Sequence, residues 1–208
     1  MRITTIINKQ NYSSNAYLIR SNFNNLESKN VLIDTGGDDT LVQKIKTINT
    51  GVGKKPVDII ILTHNHFDHT GGVKSLKAAF NPLVYAFSPS ALVDRTVKNG
   101  DIVFAGDTGL QVIHTPGHSH DSICLWGWED KILFSGDTPV AVVSKNGSYS
   151  EEFVDSLKTL NNLNVSTIYP GHGEPIYDGS SIIRESFETV RGGQLETVSG
   201  IQYTKRTL

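Results

Sequence analysis

Three histidines and an aspartate crowd into six positions, His64-Asn65-His66-Phe67-Asp68-His69, just beyond the most apolar run of the chain, Val57-Asp58-Ile59-Ile60-Ile61-Leu62. A run of that length and β-branched content reads as an interior strand, covered on both faces of its sheet. The chain must therefore carry imidazoles and a carboxylate at the exit of a buried strand, a rigid place to hold ligands. Gly71-Gly72 reads as the tight turn into a following helix. Three imidazoles and a carboxylate in so short a loop cannot all reach one ion, but they can serve two adjacent ions from two sides. In a chain of this composition the pattern arises by chance about once in two thousand sequences, which sets aside a merely polar loop.

Three further candidates follow apolar runs and a turn-forming glycine: His118 in Thr115-Pro116-Gly117-His118, Asp137 in Ser135-Gly136-Asp137-Thr138, and His172 in Tyr169-Pro170-Gly171-His172. Alone, each reads as an ordinary turn residue, because loops carry His and Asp routinely. Together with the first cluster they give five imidazoles and two carboxylates. That set suits two first-row divalent ions if one carboxylate bridges them and positions stay open for water. The remaining polar residues fit packing or turns better. Asp107 lies upstream of the strand leading to His118 and reads as a hairpin turn. His114 reads as structural, and a pocket-lining role for His120 stays open. Tyr149, Tyr169 and Tyr177 could offer hydroxyls, although packing suits each better. Cys124, the single cysteine, reads as an apolar strand position.

The rest of the chain supplies a frame. Short β-branched runs predict strands at Ile3 to Ile7, Ala16 to Arg20, Val31 to Ile33, Leu83 to Phe87, Ile102 to Phe104, Leu110 to His114, Ser122 to Trp128, Lys131 to Phe134 and Val165 to Tyr169. Helices are predicted from about Thr40 to Ile48, Val73 to Phe80, Glu151 to Leu160 and Ser181 to Val190. Two strand-rich halves with interspersed helices imply two packed sheets clad by helices, an α+β fold, in one domain over residues 1–208. With a net charge of −2 and no dense Lys/Arg cluster, a nucleic-acid partner is not expected. No stretch approaches transmembrane length, and the N-terminal apolar run is too short for a signal peptide. One cysteine excludes an internal disulfide and fits the cytoplasm. The expected partner is a small-molecule substrate, and a homodimer is admitted.

The order His-x-His-x-Asp-His, then single His, Asp and His, resembles the metallo-β-lactamase superfamily over nearly the whole chain. The resemblance implies a four-layer αββα sandwich of two mixed sheets. It also implies one metal held by His64, His66 and His118, a second held by Asp68, His69 and His172, and Asp137 bridging both. Asp34, in Leu32-Ile33-Asp34-Thr35-Gly36, is similar to the family's early aspartate, which orients a ligand imidazole, though a turn or capping role fits nearly as well. Two divalent ions are expected, zinc first, with iron or manganese accepted by the same donors. A water shared between two cations would be acidified to about neutrality, giving a bridging hydroxide as nucleophile, while Asp68 could shuttle a proton.

That scheme suits a thioester, a lactone or a related ester, and within the superfamily the pattern looks closest to short relatives of glyoxalase II, the hydroxyacylglutathione hydrolases. Those enzymes grip glutathione with a helical C-terminal region, and only 36 residues follow His172, so glutathione recognition is not implied. A β-lactamase reading is poorer, since many such enzymes place Cys where Asp137 stands. The alternative of a different reaction class is a persulfide dioxygenase-like oxidoreductase with a single iron. A non-catalytic metal-stabilised module is disfavoured because all seven ligands are present.

Overall fold

The computed structural model describes residues 1–7, 13–21, 25–144, 147–192 and 194–195, so parts of the Asn- and Ser-rich stretches read as turns, at 8–12 and 22–24, lie outside the described residues. The first sheet runs β1 (Arg2–Ile6), β2 (Ala16–Arg20), β3 (Val31–Ile33), β4 (Ile59–Ile61), β5 (Leu83–Ala86) and β6 (Arg95–Thr96) in spatial order. Its first two pairings are antiparallel and the other three parallel. The second sheet runs β7 (Ile102–Ala105), β8 (Thr108–His114), β9 (Ile123–Gly127) and β10 (Ile132–Gly136); beyond them chain order passes β11 (Ser148–Tyr149), and β12 (Thr167–Pro170) and β13 (Ile176–Tyr177) complete the sheet. Only β10 and β12 pair in parallel there. β11 pairs separately with β14 (Gln194–Leu195).

Helices α1 (Thr40–Lys46), α2 (Phe67–Thr70) and α3 (Val73–Phe80) fall in the first half, α4 (Glu151–Asn161) and α5 (Gly179–Arg191) in the second. Strand alternation explains the layering. Ile61 faces the core between the sheets, with Tyr17, Ile33, Leu110, Leu125 and Phe134. Its neighbour Ile60 faces outward under Leu41 and Ile45 of α1 and Leu76 of α3. On the second sheet Cys124, Leu133 and Ile168 face Leu160 of α4 and Ile183 of α5. Each such aliphatic side chain contributes about 1.5–3 kcal/mol when fully buried, so three apolar layers hold four structural ones. Two mixed sheets flanked by helices are the αββα sandwich the sequence implied. Cys124 is fully buried, and burial pushes its thiol up to about 11.

Strands β2 and β3 and helix α3 coincide with the expected ranges, and Asn81, in the left-handed region at φ 50°, ends α3 just ahead of Pro82. The Val57–Leu62 run pairs only over Ile59–Ile61. At the start of helix α1, Asp38 Oδ1 accepts from the Thr40 backbone N–H, while Asp39 makes no side-chain cap. Gly71 and Gly72 form the turn from α2 into α3, as read from the sequence, and meet a further demand. Neither has a positive φ, but a Cβ on Gly71 would strike the backbone of Gly37, and one on Gly72 the carbonyls of Thr35 and Asp38. They are required by a close backbone approach that holds the motif loop against the loop after β3.

Because β3 and β4 are parallel, their C-terminal ends reach one edge of the sandwich together, and β10 and β12 do the same in the second sheet. The Ile123 N–H donates to Thr63 O across the two sheets at 2.9 Å, pinning those edges side by side.

Candidate metal centre

Strand β4 delivers Thr63 and His64 at its exit, and the four-residue helix α2 then turns Asp68 and His69 back toward the same point. Asp34 follows β3. Its backbone φ of 57° is a left-handed conformation that Asp tolerates better than most residues. Buried almost completely, its carboxylate accepts from Thr63 N and Thr63 Oγ1, both at 2.8 Å, and lies 2.8 Å from His69 Nδ1. Holding Nδ1 fixes the ring so that His69 Nε2 faces inward. The orienting role is thus the one the geometry displays, and it coexists with the turn.

The second sheet supplies the other three residues. His118 lies in the loop between β8 and β9, Asp137 directly follows β10, and His172 lies just past β12. Gly136, at φ 50°, ends β10 where a Cβ would collide with Thr63. Gly171 is more constrained still. A Cβ there would run into Asp137 Oδ1 and the His69 ring.

All seven residues converge. Two groups form, each with donor atoms within 4.8 Å of one another: His64, His66 and His118 in one, and Asp68, His69, Asp137 and His172 in the other. In the first, His118 Nε2 and His66 Nδ1 are 3.0 Å apart. In the second, His172 Nε2 lies 3.0 Å from Asp68 Oδ2, and His69 Nε2 lies 3.2 Å from Asp137 Oδ1 and 3.9 Å from Asp68 Oδ2. Asp137 faces both groups, its Oδ2 being 3.6 Å from His118 Nε2 and 3.5 Å from His172 Nε2.

Donors that share a metal ion at about 2.1 Å in tetrahedral array stand about 3.4 Å apart, close to these spacings. A second observation favours a cation. His64 Nε2 and His69 Nε2 are buried without an aligned hydrogen-bond partner, a state that is costly unless something binds them. Burial, with the neighbouring His69, pushes His64 down to about 3, so it is a neutral, lone-pair-bearing imidazole at ordinary pH. Burial alone would lower His69 too, but the Asp34 and Asp137 carboxylates outweigh it and raise the group to about 10. Burial would raise Asp137; the hydrogen bond to His69 and the charge of His69 instead hold it well below the usual carboxylate range.

The other polar residues weighed in the sequence lie outside the two ligand groups. Asp107 sits in the β7–β8 hairpin turn, between Ala105 and Thr108. His114 stacks on Phe87 at 4.0 Å and holds the His120 carbonyl through Nε2 at 2.8 Å. His120 itself is exposed. Tyr169 packs on Phe134 and Tyr17, Tyr149 donates to Ser144 O at 2.6 Å, and Tyr177 is exposed. What sequence reading missed is Ser13-Ser14-Asn15. This buried polar stretch donates through Ser14 N to Asp68 O and through Asn15 N to Gly171 O, at 3.0 and 2.7 Å. A polar triplet just before an apolar strand was the one available signal, and it resembled a turn.

Fold and centre together define a two-sheet sandwich with a histidine- and aspartate-rich cation site at the edge where both sheets end. The chain belongs to the metallo-beta-lactamase superfamily, whose sequence model matches residues 11–172. It is 26% identical over 189 residues to an atrochrysone carboxyl ACP thioesterase of Aspergillus fumigatus, covering 87% of this chain and 60% of the relative. A hydroxyacylglutathione hydrolase of Rhodospirillum rubrum is 38% identical over 121 residues, covering 54% of this chain and 47% of that enzyme. A protein of Methanocaldococcus jannaschii described as a probable metallo-hydrolase is 30% identical over 203 residues, covering 81% of this chain and 91% of that one. The chain thus spans about half the length of several curated relatives it matches. Among solved structures, the family protein TTHA1429 from Thermus thermophilus superposes with a TM-score of 0.68 at 18% identity, covering 91% of this chain and 79% of that one. The protein TTHA1623, in a di-iron-bound form, superposes with a TM-score of 0.64 at 26% identity, covering 87% and 96%. No helix among the described residues is long and apolar enough to cross a membrane.

Proposed function

We propose that the chain is a dinuclear metal-dependent hydrolase acting on a thioester, lactone or related ester-like substrate. One observation carries the reading: two ligand groups lie side by side with the Asp137 carboxylate facing both. His64, His66 and His118 would hold one divalent ion, Asp68, His69 and His172 a second, with Asp137 shared. When bound, such a pair supplies an acidified water as nucleophile and an electrophile for the substrate carbonyl. The protein's own part is positioning and proton handling. Asp34 and Thr63 lock the His69 ring, and the missing Cβ of Gly171 admits Asp137 to the centre. Asp68, partly exposed and 3.0 Å from His172 Nε2, can accept a proton at Oδ2 and return it to a leaving group.

The thioester class is supported by the Aspergillus relative, named as an ACP thioesterase, and the Rhodospirillum relative, named as a hydroxyacylglutathione hydrolase, is consistent with it. Elemental analysis of the purified chain, followed by a thioester and lactone panel with and without chelator, tests this. About two divalent ions per chain and chelator-sensitive hydrolysis are expected. One iron per chain with oxygen uptake on persulfides would replace the hydrolase with the dioxygenase reading, and full activity in chelated protein would refute the metal mechanism altogether.

A further inference from the structure

His172 and Asp68 are the most exposed members of the carboxylate-bearing group, at 44% and 32%, so packing of their side chains cannot fix them. Their backbones are fixed instead, and from one place. Asn15, 3% exposed at the entrance to β2, donates from its backbone N–H to Gly171 O at 2.7 Å and from its side-chain amide to Gly173 O at 2.8 Å and Pro170 O at 3.1 Å. The Tyr17 hydroxyl donates to the same Pro170 carbonyl at 2.5 Å and lies 3.1 Å from Asn15 Nδ2. Carbonyls on both sides of His172 are therefore held by one residue and its neighbour on β2. The preceding residue, Ser14, donates from its N–H to Asp68 O at 3.0 Å.

The chemistry of the clamp calls for an amide. Two N–H donors on one planar group can serve two carbonyls, whereas a carboxylate would face those oxygens with no donor, and an aliphatic chain would take the donor from Gly173 O and leave Pro170 O to the Tyr17 hydroxyl alone. Beyond Tyr17, the bonds given by Ser14 N and by Asn15 end on the backbone of Asp68 and of the 170–173 loop, which carry two members of one ligand group. Asn15 also joins the first sheet to the second, since β2 belongs to one and the His172 loop to the other.

We propose that Asn15 is a positioning residue that sets the affinity of one ion of the pair, the one served by Asp68, His69, Asp137 and His172, by clamping the 170–173 loop. This rests on the dinuclear reading above and deepens it. A role in general stability alone would weaken both ions alike or neither, so the readout is the difference between them.

The full-length protein is loaded with cobalt and challenged with graded chelator, following ions released and the visible cobalt spectrum. The wild-type chain should give up two ions. In Asn15→Ala, one ion should leave at about 10–100-fold lower chelator strength, the range for loss of an outer-shell partner, while the other leaves as in wild type. Equal displacement of both ions, or release unchanged from wild type, overturns the proposal. Tyr17→Phe keeps the ring packing and removes one of the bonds to Pro170, so it answers the question even where Asn15→Ala does not fold. It should shift the same single ion in the same direction, by less, and no shift overturns the clamp. A wild-type chain that binds no pair of ions would sink the dinuclear reading itself, and that failure shows before any substitution is made.

Discussion

The two halves of the centre are built in opposite ways. The first sheet contributes four ligand candidates within six residues, at a strand exit and on one short helix, and two of them, His64 and His69, are almost wholly buried. The second sheet contributes three, scattered over the loops after β8, β10 and β12, and its last, His172, is nearly half exposed. A contiguous motif is positioned by its own strand, its helix and the Asp34–Thr63 network. A dispersed one depends on tertiary contacts, on glycines that let backbones approach, and on clamps such as that from Asn15. Local rigidity and long-range assembly are thus two routes to one geometry.

The largest expected effect comes at the second-sheet residue that faces both ligand groups. Asp137→Ala should lower metal occupancy and hydrolysis together, beyond the about 10–100-fold cost of an outer-shell change, with the circular dichroism spectrum preserved. Normal occupancy and rate would remove Asp137 from the centre. A sharper contrast sets His69→Ala against His172→Ala in chelator-stripped protein unfolded by urea. Losing His69 deprives the buried Asp34 carboxylate of a partner and should cost about 1–3 kcal/mol. Losing the half-exposed His172 should change stability by no more than about 0.5 kcal/mol, and equal losses would break the comparison. Asp34→Asn comes next. Asn tolerates the left-handed backbone, so the turn should persist while metal affinity, measured by chelator competition, falls about 10–100-fold. The smallest effect is His114→Ala, which removes the stacking on Phe87, worth about 0.5–1.5 kcal/mol, and should leave metal content unchanged. A drop in bound metal there would draw His114 into the centre.

The same division governs what could be read in advance. Strands β2 and β3 and helix α3 were legible because apolar periodicity and turn residues bound them on both sides, and the contiguous motif announced itself by spacing. The dispersed ligands became legible only in company with it. Helix α2 left no trace, because four residues, two of them ligand candidates, carry no hydrophobic period. The two-residue strands β6, β11 and β13 were equally silent, being too short to alternate. Asn15 escaped for another reason: its side-chain partners lie 155 and 158 positions away and are backbone carbonyls, which no side-chain pattern encodes. Gly71 and Gly72 were legible as the turn into α3 but not as the site of a close backbone approach, since sequence does not show which neighbour a glycine faces.

That the ligands come from both sheets has a mechanical consequence. The two layers meet through apolar packing, which resists separation but is non-directional and tolerates sliding. A cation gripped from both sides at one edge would act as a rivet through the laminate, fixing the registry of one sheet on the other. Load drawing the layers apart would then run from the His64–His69 motif to His118, Asp137 and His172, and the seam would loosen there before any single strand gave way.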